Sequence, residues 1–168
     1  MKHPRSLSIL LMLTALAGSS LAAERHLSGR VVRVVDGDSL MLDVRGARYR
    51  VELDDIDAPE LNQPWGQAAR RKLEQSLTGR FVVVQWRAIP ANGQVQGRLL
   101  SRGHDVGLEL LRDGLAWCTL GPVTLVPDQN RLYRDAEAAA RAERLGLWSD
   151  DSPIPPWEWR RRATSRPH

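Results

Sequence analysis

The chain has 168 residues, of which 42% are hydrophobic, and a formal net charge of +4. This length is enough for one domain with a substantial core, and the single cysteine excludes an internal disulfide. The charge does not by itself indicate a polyanion-binding protein, because a mixed solvated surface gives the same balance.

The N-terminal segment has the pattern of a secretory signal. Lys2 and Arg5 precede an apolar run at 7–17, and small residues follow at 20–23. A retained membrane anchor is the alternative, but the apolar run is short for crossing a bilayer. We therefore expect residues 1–23 to be a signal peptide, and the mature protein to be free of the membrane and exported to the periplasm or the medium.

The rest of the chain predicts one domain at 24–152 and a tail at 153–168 that is rich in tryptophan and arginine. Short β-branched and apolar runs between turn residues indicate strands, and longer runs with helical spacing indicate helices. This order predicts an α+β domain and is compatible with a small Greek-key barrel. The predicted strands are 31–35, 40–44, 49–53, 81–86 and 96–101, and the predicted helices are 67–77, 106–115 and 129–145.

Two of the predicted strands end in acidic turns. The first leads into Asp36-Gly37-Asp38-Ser39, and the third leads into DDIDAPE at 54–60. If the strands pair, Asp38 and Asp57 come together, and two carboxylates near backbone carbonyls suit a hard cation such as Ca²⁺. Solvated turn aspartates are the alternative, and they are the commoner explanation of an isolated Asp-Gly-Asp.

The two acidic turns together resemble the staphylococcal nuclease, or thermonuclease-like, family. The matching patterns are VDGDS at 35–39 and IDAPE at 56–60. The resemblance continues through LLRDGLAW at 110–117, GLWS at 146–149 and IPPWEWR at 154–160. It implies a five-stranded OB-type Greek-key β-barrel packed with three helices.

The resemblance also implies an activity and a metal site. Family members cleave phosphodiesters in DNA and RNA with Ca²⁺, which two carboxylates and a backbone carbonyl hold. By similarity the metal ligands are Asp38, Asp57 and the carbonyl of Ala58, and the catalytic base is Glu60. Two further residues match supporting positions beside the metal: Asp36 and Ser39. We expect single-stranded DNA or RNA as the partner and a monomeric protein.

The phosphate-binding half of the family pattern is replaced. Family members hold the scissile phosphate with two arginines, and the corresponding residues here are Glu52 and Gln94. Arg50, on the same strand face as Glu52, and Arg98, in a second Gly-Arg pair, are the candidate substitutes.

The replacement of arginine by glutamate turns attraction of a phosphate into repulsion. Two like charges about 4 Å apart cost about 4 kcal/mol at an effective dielectric of 20, which slows a reaction almost a thousandfold. We therefore predict a nuclease of weakened activity, or a pseudoenzyme. The alternatives are a metal- or nucleic-acid-binding module without turnover and an enzyme for a less anionic substrate.

The tail combines aromatic and cationic residues in WEWRRR at 157–162. Stacking and phosphate contacts of such a segment suit single-stranded nucleic acid. The sequence favours a different interpretation, in which the tryptophans pack on the barrel and the arginines stay solvated before a frayed end.

Overall fold

A computed structural model of the chain describes residues 25–86, 94–120 and 127–165. The predicted signal peptide at 1–23 lies outside these residues. No helix within the described ranges is both long enough and apolar enough to cross a bilayer. The strands are β1 (Arg25–Val34), β2 (Ser39–Val44), β3 (Ala47–Leu53), β4 (Ile56–Asp57), β5 (Phe81–Trp86), β6 (Gln94–Ser101), β7 (His104–Asp105) and β8 (Trp117–Cys118). The α-helices are α1 (Gly66–Leu77), α2 (Val106–Arg112), α3 (Pro127–Ala142) and α4 (Pro156–Thr164), and a 3₁₀ turn spans Gly146–Ser149.

Five long strands form a closed barrel, as the resemblance implied. β1 pairs antiparallel with β2 and β5, while β2 pairs with β3 and β5 with β6. A parallel pairing of β3 with β6 closes the ring. Because closure leaves neither β3 nor β6 with an open long edge, the barrel holds the ends of its strands in fixed positions.

Alternation along the strands fills the barrel interior. In β5, Val82, Val84 and Trp86 are buried, and the residues between them are partly exposed to solvent. The same period of two buries Leu40 and Leu42 in β2. The core is therefore built from the β-branched and leucine positions that predicted the strands.

The strand predicted at 31–35 is the second half of a longer strand. Residues 25–30 pair with β5 along their whole length, from Arg25 opposite Trp86 to Arg30 opposite Phe81. Their side chains are mostly exposed, so the segment RHLSGR has little apolar alternation from which to predict a strand. Backbone pairing to a buried neighbour decides its conformation.

All three predicted helices are present, and a fourth occupies much of the predicted tail. Helix α4 begins at Pro156, where the missing N–H and fixed φ of proline suit a first helical position. The sequence predicted a frayed end after the arginines, but it gave no sign of the helix at Pro156–Thr164. The chain beyond the barrel is therefore structured close to the acidic turns.

Candidate active site

The first acidic turn is ordered by its own leading carboxylate. Asp36 Oδ1 accepts hydrogen bonds from the backbone N–H of Ser39 at 2.7 Å and of Asp38 at 3.2 Å. An aspartate that bonds the backbone two and three residues on stabilises a tight turn. Asp36 thus stabilises the conformation of the turn that carries Asp38.

Gly37 lets this turn lie against the rest of the site. A Cβ at this position would lie 2.7 Å from the Cβ of Ala58 and 2.8 Å from the Cβ of Ala69. Neither neighbour is a flexible side chain, so a larger residue would push the turn away from the second acidic segment and from α1.

Two hydrogen bonds join the first turn to the second acidic segment. Asp38 Oδ2 accepts a hydrogen bond of 2.7 Å from the Ala58 N–H, and the Asp38 carbonyl accepts one of 2.9 Å from the Leu53 N–H. The second segment is also held by β4, in which Asp57 lies opposite Trp117 of β8. The carboxylates at 38 and 57 are therefore fixed on neighbouring segments.

Glu60 is positioned by the loop that enters α1. Its backbone N–H donates to Gln63 Oε1 at 3.1 Å, and its carbonyl accepts from the Gln63 N–H at 2.8 Å. A Cβ on Gly66 would lie 1.9 Å from the Glu60 carbonyl oxygen, so only glycine permits this approach of helix and loop. The side chain of Glu60 is left partly exposed.

These segments surround a cavity of about 490 Å³. Seven carboxylate side chains and two guanidinium groups are among the residues that line it. The carboxylates are Asp36, Asp38, Glu52, Asp54, Asp55, Asp57 and Glu60, and the guanidinium groups are Arg50 and Arg160. The structure thus brings the predicted residues Asp38, Asp57, Ala58 and Glu60 to one cavity, together with Asp36 and Ser39.

The chemistry of this donor set fits a hard cation. The pKa of Asp38 is raised to about 8, mainly by burial. The nearby Asp36 and Asp57 contribute to this increase, and the hydrogen bond from the Ala58 N–H opposes it. A carboxylate with these neighbours gains from a cation that offsets their combined negative charge. Carboxylate oxygens and a backbone carbonyl are the ligands that Ca²⁺ prefers.

Within the described ranges, no three histidine, cysteine or acidic side chains already form a cluster that could hold a metal ion. Two of the candidate groups are instead engaged by Arg160. Its Nη2 donates to Asp57 Oδ2 at 2.7 Å, and its Nη1 donates to Glu60 Oε1 at 2.7 Å and to Asp57 Oδ1 at 3.2 Å. These hydrogen bonds raise the pKa of Arg160 above its usual range.

The expectation that the tail arginines are solvated is wrong for Arg160, because α4 directs its guanidinium into the cavity. Sequence reasoning placed it in a surface tail because a run of three arginines has no apolar periodicity of its own. The signal that could have identified it is the IPPWEWR segment, which the resemblance included and which ends at Arg160.

The four residues of the phosphate-binding half differ in position. Arg50 lines the cavity, and its Nη2 donates to Ser39 Oγ at 3.1 Å and lies 3.6 Å from Asp36 Oδ2. Glu52 also lines it and accepts a hydrogen bond of 2.8 Å from Gln94 Nε2. Arg98 is not among the residues that line the cavity, and its Nε binds the buried Asp105.

Comparisons with known proteins find one family and several relatives. A sequence model described as "Staphylococcal nuclease homologue" matches residues 50–150. "Protein ParB" of Escherichia coli is 35% identical over 174 residues, covering 96% of this chain and 96% of its own. An "Uncharacterized endonuclease" of Escherichia coli is 35% identical over 148 residues, covering 84% and 89%. "Micrococcal nuclease" of Shigella flexneri is 32% identical over 155 residues, covering 86% of each chain.

Proposed function

The chain belongs to the staphylococcal nuclease homologue family, and on that premise we propose that it is a metal-dependent nuclease that hydrolyses phosphodiester bonds in DNA or RNA. The observation that carries the proposal is the convergence of Asp38, Asp57 and Glu60 on one cavity at the barrel surface. The hydrogen bond from Ala58 to Asp38 fixes the two acidic segments against each other.

Each of these residues has a part in the proposed reaction. Asp38, Asp57 and the Ala58 carbonyl would hold Ca²⁺, which when bound polarises the phosphate and offsets its charge. Glu60, held in place by Gln63, accepts the proton of the attacking water. Asp36 keeps the first turn in shape.

The substitutions in the phosphate-binding half favour slow turnover. Glu52 adds negative charge to the cavity, and its hydrogen bond with Gln94 keeps that carboxylate in place. This negative charge opposes the approach of a phosphodiester to the cavity. We therefore propose a nuclease with weakened activity on single-stranded substrates.

A second candidate function is a binding module that holds a metal ion or an oligonucleotide without cleaving it. The observation in its favour is the engagement of both Asp57 and Glu60 by Arg160, which occupies the very groups that hydrolysis requires. In that case the cavity would bind ligands while Glu60 remained unable to act as a base.

We further propose that the protein is exported as a monomer after removal of residues 1–23. The pattern of a charged start, an apolar run and small residues supports the export. Mass spectrometry of the protein from periplasm and medium should give a chain that begins near residue 24. Recovery of the intact chain from the cytoplasm alone would contradict export.

Cleavage of labelled single-stranded DNA and RNA by the purified mature protein tests the main proposal. Hydrolysis should require Ca²⁺, stop with a chelator, and fall at least about a hundredfold in Glu60→Gln. Glu143→Gln, on an exposed position outside the cavity, is the matched control and should cleave like the wild type. Cleavage that survives both chelation and Glu60→Gln would contradict the proposal, whereas Ca²⁺-dependent binding without cleavage would support the binding module.

A further inference from the structure

Helix α4 is fixed to the acidic loop by side-chain contacts. Trp159 Nε1 donates a hydrogen bond of 3.0 Å to Asn62 Oδ1. Gln63, whose Oε1 accepts from the Glu60 N–H, donates through Nε2 to the carbonyl of Ile154 just before the helix. The same amide therefore connects Glu60 to the entrance of α4, and the helix has a defined position relative to the cavity.

The indole rings add a second anchor. Trp157 packs edge-on against Trp117, with ring centroids 6.4 Å apart. Trp117 is the β8 residue opposite Asp57, so the helix rests on the strand pair that carries this aspartate. A side chain on α4 can thus reach Asp57 without ordering a long free segment, which lowers the entropic cost of the contact.

Arg160 delivers its charge from this helix to the two acidic groups nearest the reaction. Both terminal nitrogens bind carboxylates, with three contacts between 2.7 and 3.2 Å. The side chain lines the cavity and keeps half of its surface exposed. A guanidinium has five N–H donors in a planar fork, which suits a phosphate as well as a carboxylate.

The cavity is rich in carboxylates, so an anionic substrate needs a cationic side chain there. Among the residues that line it, carboxylates outnumber guanidinium groups by seven to two. Arg50 is already directed at Asp36 and Ser39 of the first turn. An anionic substrate therefore depends on Arg160 for a cation beside Asp57 and Glu60.

We propose that Arg160 is a phosphate-binding residue of this active site, supplied from the C-terminal helix in place of an arginine of the barrel. This inference rests on the proposed nuclease function. A metal ion on Asp57 would share the charge of that carboxylate, and the guanidinium nitrogens that bind it here would then be available to a phosphate oxygen. The contacts to Asp57 and Glu60 keep the guanidinium at the cavity before substrate arrives.

Two measurements test the assignment. The first is cleavage of a single-stranded oligodeoxynucleotide with Ca²⁺ by the wild type, Arg160→Ala and Arg160→Lys. The second is fluorescence anisotropy of the same oligonucleotide with Ca²⁺ and protein that carries Glu60→Gln, with and without each Arg160 substitution. Arg161→Ala is the matched control, because it removes the same charge from an exposed position on the same helix.

We expect Arg160→Ala to weaken oligonucleotide binding and to slow cleavage, each by about tenfold or more, the loss typical of a charge-assisted hydrogen bond. Arg160→Lys should recover part of both, because lysine keeps the charge but not the fork. Arg161→Ala should change either quantity less than about twofold, as expected of an exposed charge. Thermal unfolding of each variant checks that the helix remains folded, and the lysine variant serves if the alanine variant does not fold.

The possible failures are distinguishable. If Arg160→Ala binds or cleaves better than the wild type, Arg160 blocks the site and the inference is overturned. An equal effect of Arg161→Ala also overturns it, since a general loss of charge then suffices. Cleavage that is unaffected by Arg160→Ala refutes the inference about Arg160 but is consistent with the proposed nuclease function. Binding that depends on Arg160 without any cleavage refutes the nuclease, and with it the assignment of Arg160 to an active site, although it confirms that Arg160 contacts the oligonucleotide. Absence of any binding by the Glu60→Gln protein overturns the inference.

Discussion

Gln94 Nε2 donates a hydrogen bond of 2.8 Å to Glu52 Oε2. Glu52 lies on β3 and Gln94 on β6, the parallel pair of strands that closes the barrel. In this pair Gln94 is opposite Arg50, and Glu52 is opposite Gln96. They occupy the positions at which the family resemblance places phosphate-binding arginines. By that resemblance, an acid and an amide bind each other at the two positions where family members hold the phosphate with arginines.

This pairing predicts that cleavage can be increased. Glu52→Arg should raise the rate of cleavage of single-stranded DNA at least about tenfold, because it removes a negative charge and adds a positive one. An unscreened attraction between the new guanidinium and a phosphate about 4 Å away would raise the rate more. Glu52→Arg with Gln94→Arg should raise it further. Steady-state cleavage with Ca²⁺ measures both.

Glu143→Arg is the control for the change in net charge, since Glu143 is exposed and does not line the cavity. It should leave the rate within about twofold of the wild type, as expected of an exposed charge. No gain in the double variant, despite an intact fold and intact Ca²⁺ binding, would contradict our explanation of weak turnover.

Arg50 and Arg98 should behave differently. Arg50→Ala removes a guanidinium from the cavity and should slow cleavage about tenfold, with little change in the free energy of unfolding. Arg98→Ala leaves the buried Asp105 without one partner and should lower that free energy by about 1–3 kcal/mol while the folded protein cleaves normally. Urea unfolding and cleavage at a temperature where both variants are folded separate the two. Equal effects on cleavage would mean that Arg98 reaches the substrate.

The acidic turn should make stability depend on pH when metal is absent. Burial raises the pKa of Asp38 from 3.8 to about 8, so the folded chain holds this proton more tightly than the unfolded chain. The free energy of unfolding of the wild type should therefore fall as the pH rises from about 4 through about 8, relative to Asp38→Asn, which does not titrate.

Urea unfolding with a chelator at about pH 5 and about pH 9 measures this difference. Between these two pH values, the free energy of unfolding of the wild type should fall by at least about 1 kcal/mol relative to that of Asp38→Asn. One unit of pKa shift corresponds to about 1.4 kcal/mol. Asp43→Asn, on β2 outside the cavity, is the control. A difference that does not change with pH would show that ionisation of Asp38 does not destabilise the folded chain.

Gly37 should be intolerant of a side chain for steric reasons. Gly37→Ala would place a methyl group within 2.8 Å of both Ala58 and Ala69, and should lower the free energy of unfolding by about 1–3 kcal/mol. It should also weaken Ca²⁺ binding, because Ala58 holds Asp38. Gly46→Ala is the comparison: its φ of +89° strains an alanine, but nothing lies within 4 Å, so Ca²⁺ binding should be unchanged. Calorimetry that finds the two variants alike would refute the steric explanation.

The sequence could predict the parts of the site that local chemistry determines. Asp36-Gly37-Asp38 is a turn by composition, and the β-branched runs before it and after it are strands by alternation. The resemblance then related these turns to one another and gave the barrel. The parallel contact of β3 with β6, which brings Gln94 to Glu52, joins residues far apart in sequence. The family pattern indicated only that both positions belong to one site.

The sequence could not predict the approach of Arg160. The contact depends on Trp157, Trp159 and Gln63 holding α4 against the loop after Glu60, and each of these side chains has many possible partners in an unfolded chain. The N-terminal half of β1 was missed for a related reason. Its pairing with β5 is made by backbone groups, which side-chain patterns do not reveal.

Calorimetric titration of the mature protein with Ca²⁺ is the most direct test of the proposal that the two acidic segments form a metal site. The wild type should bind one Ca²⁺, and Asp38→Ala and Asp57→Ala should each weaken that binding at least about tenfold, as expected when a carboxylate ligand is lost. Asp43→Ala, which removes a carboxylate on β2 outside the cavity, should bind like the wild type. Undiminished binding in both Asp38→Ala and Asp57→Ala would contradict the account.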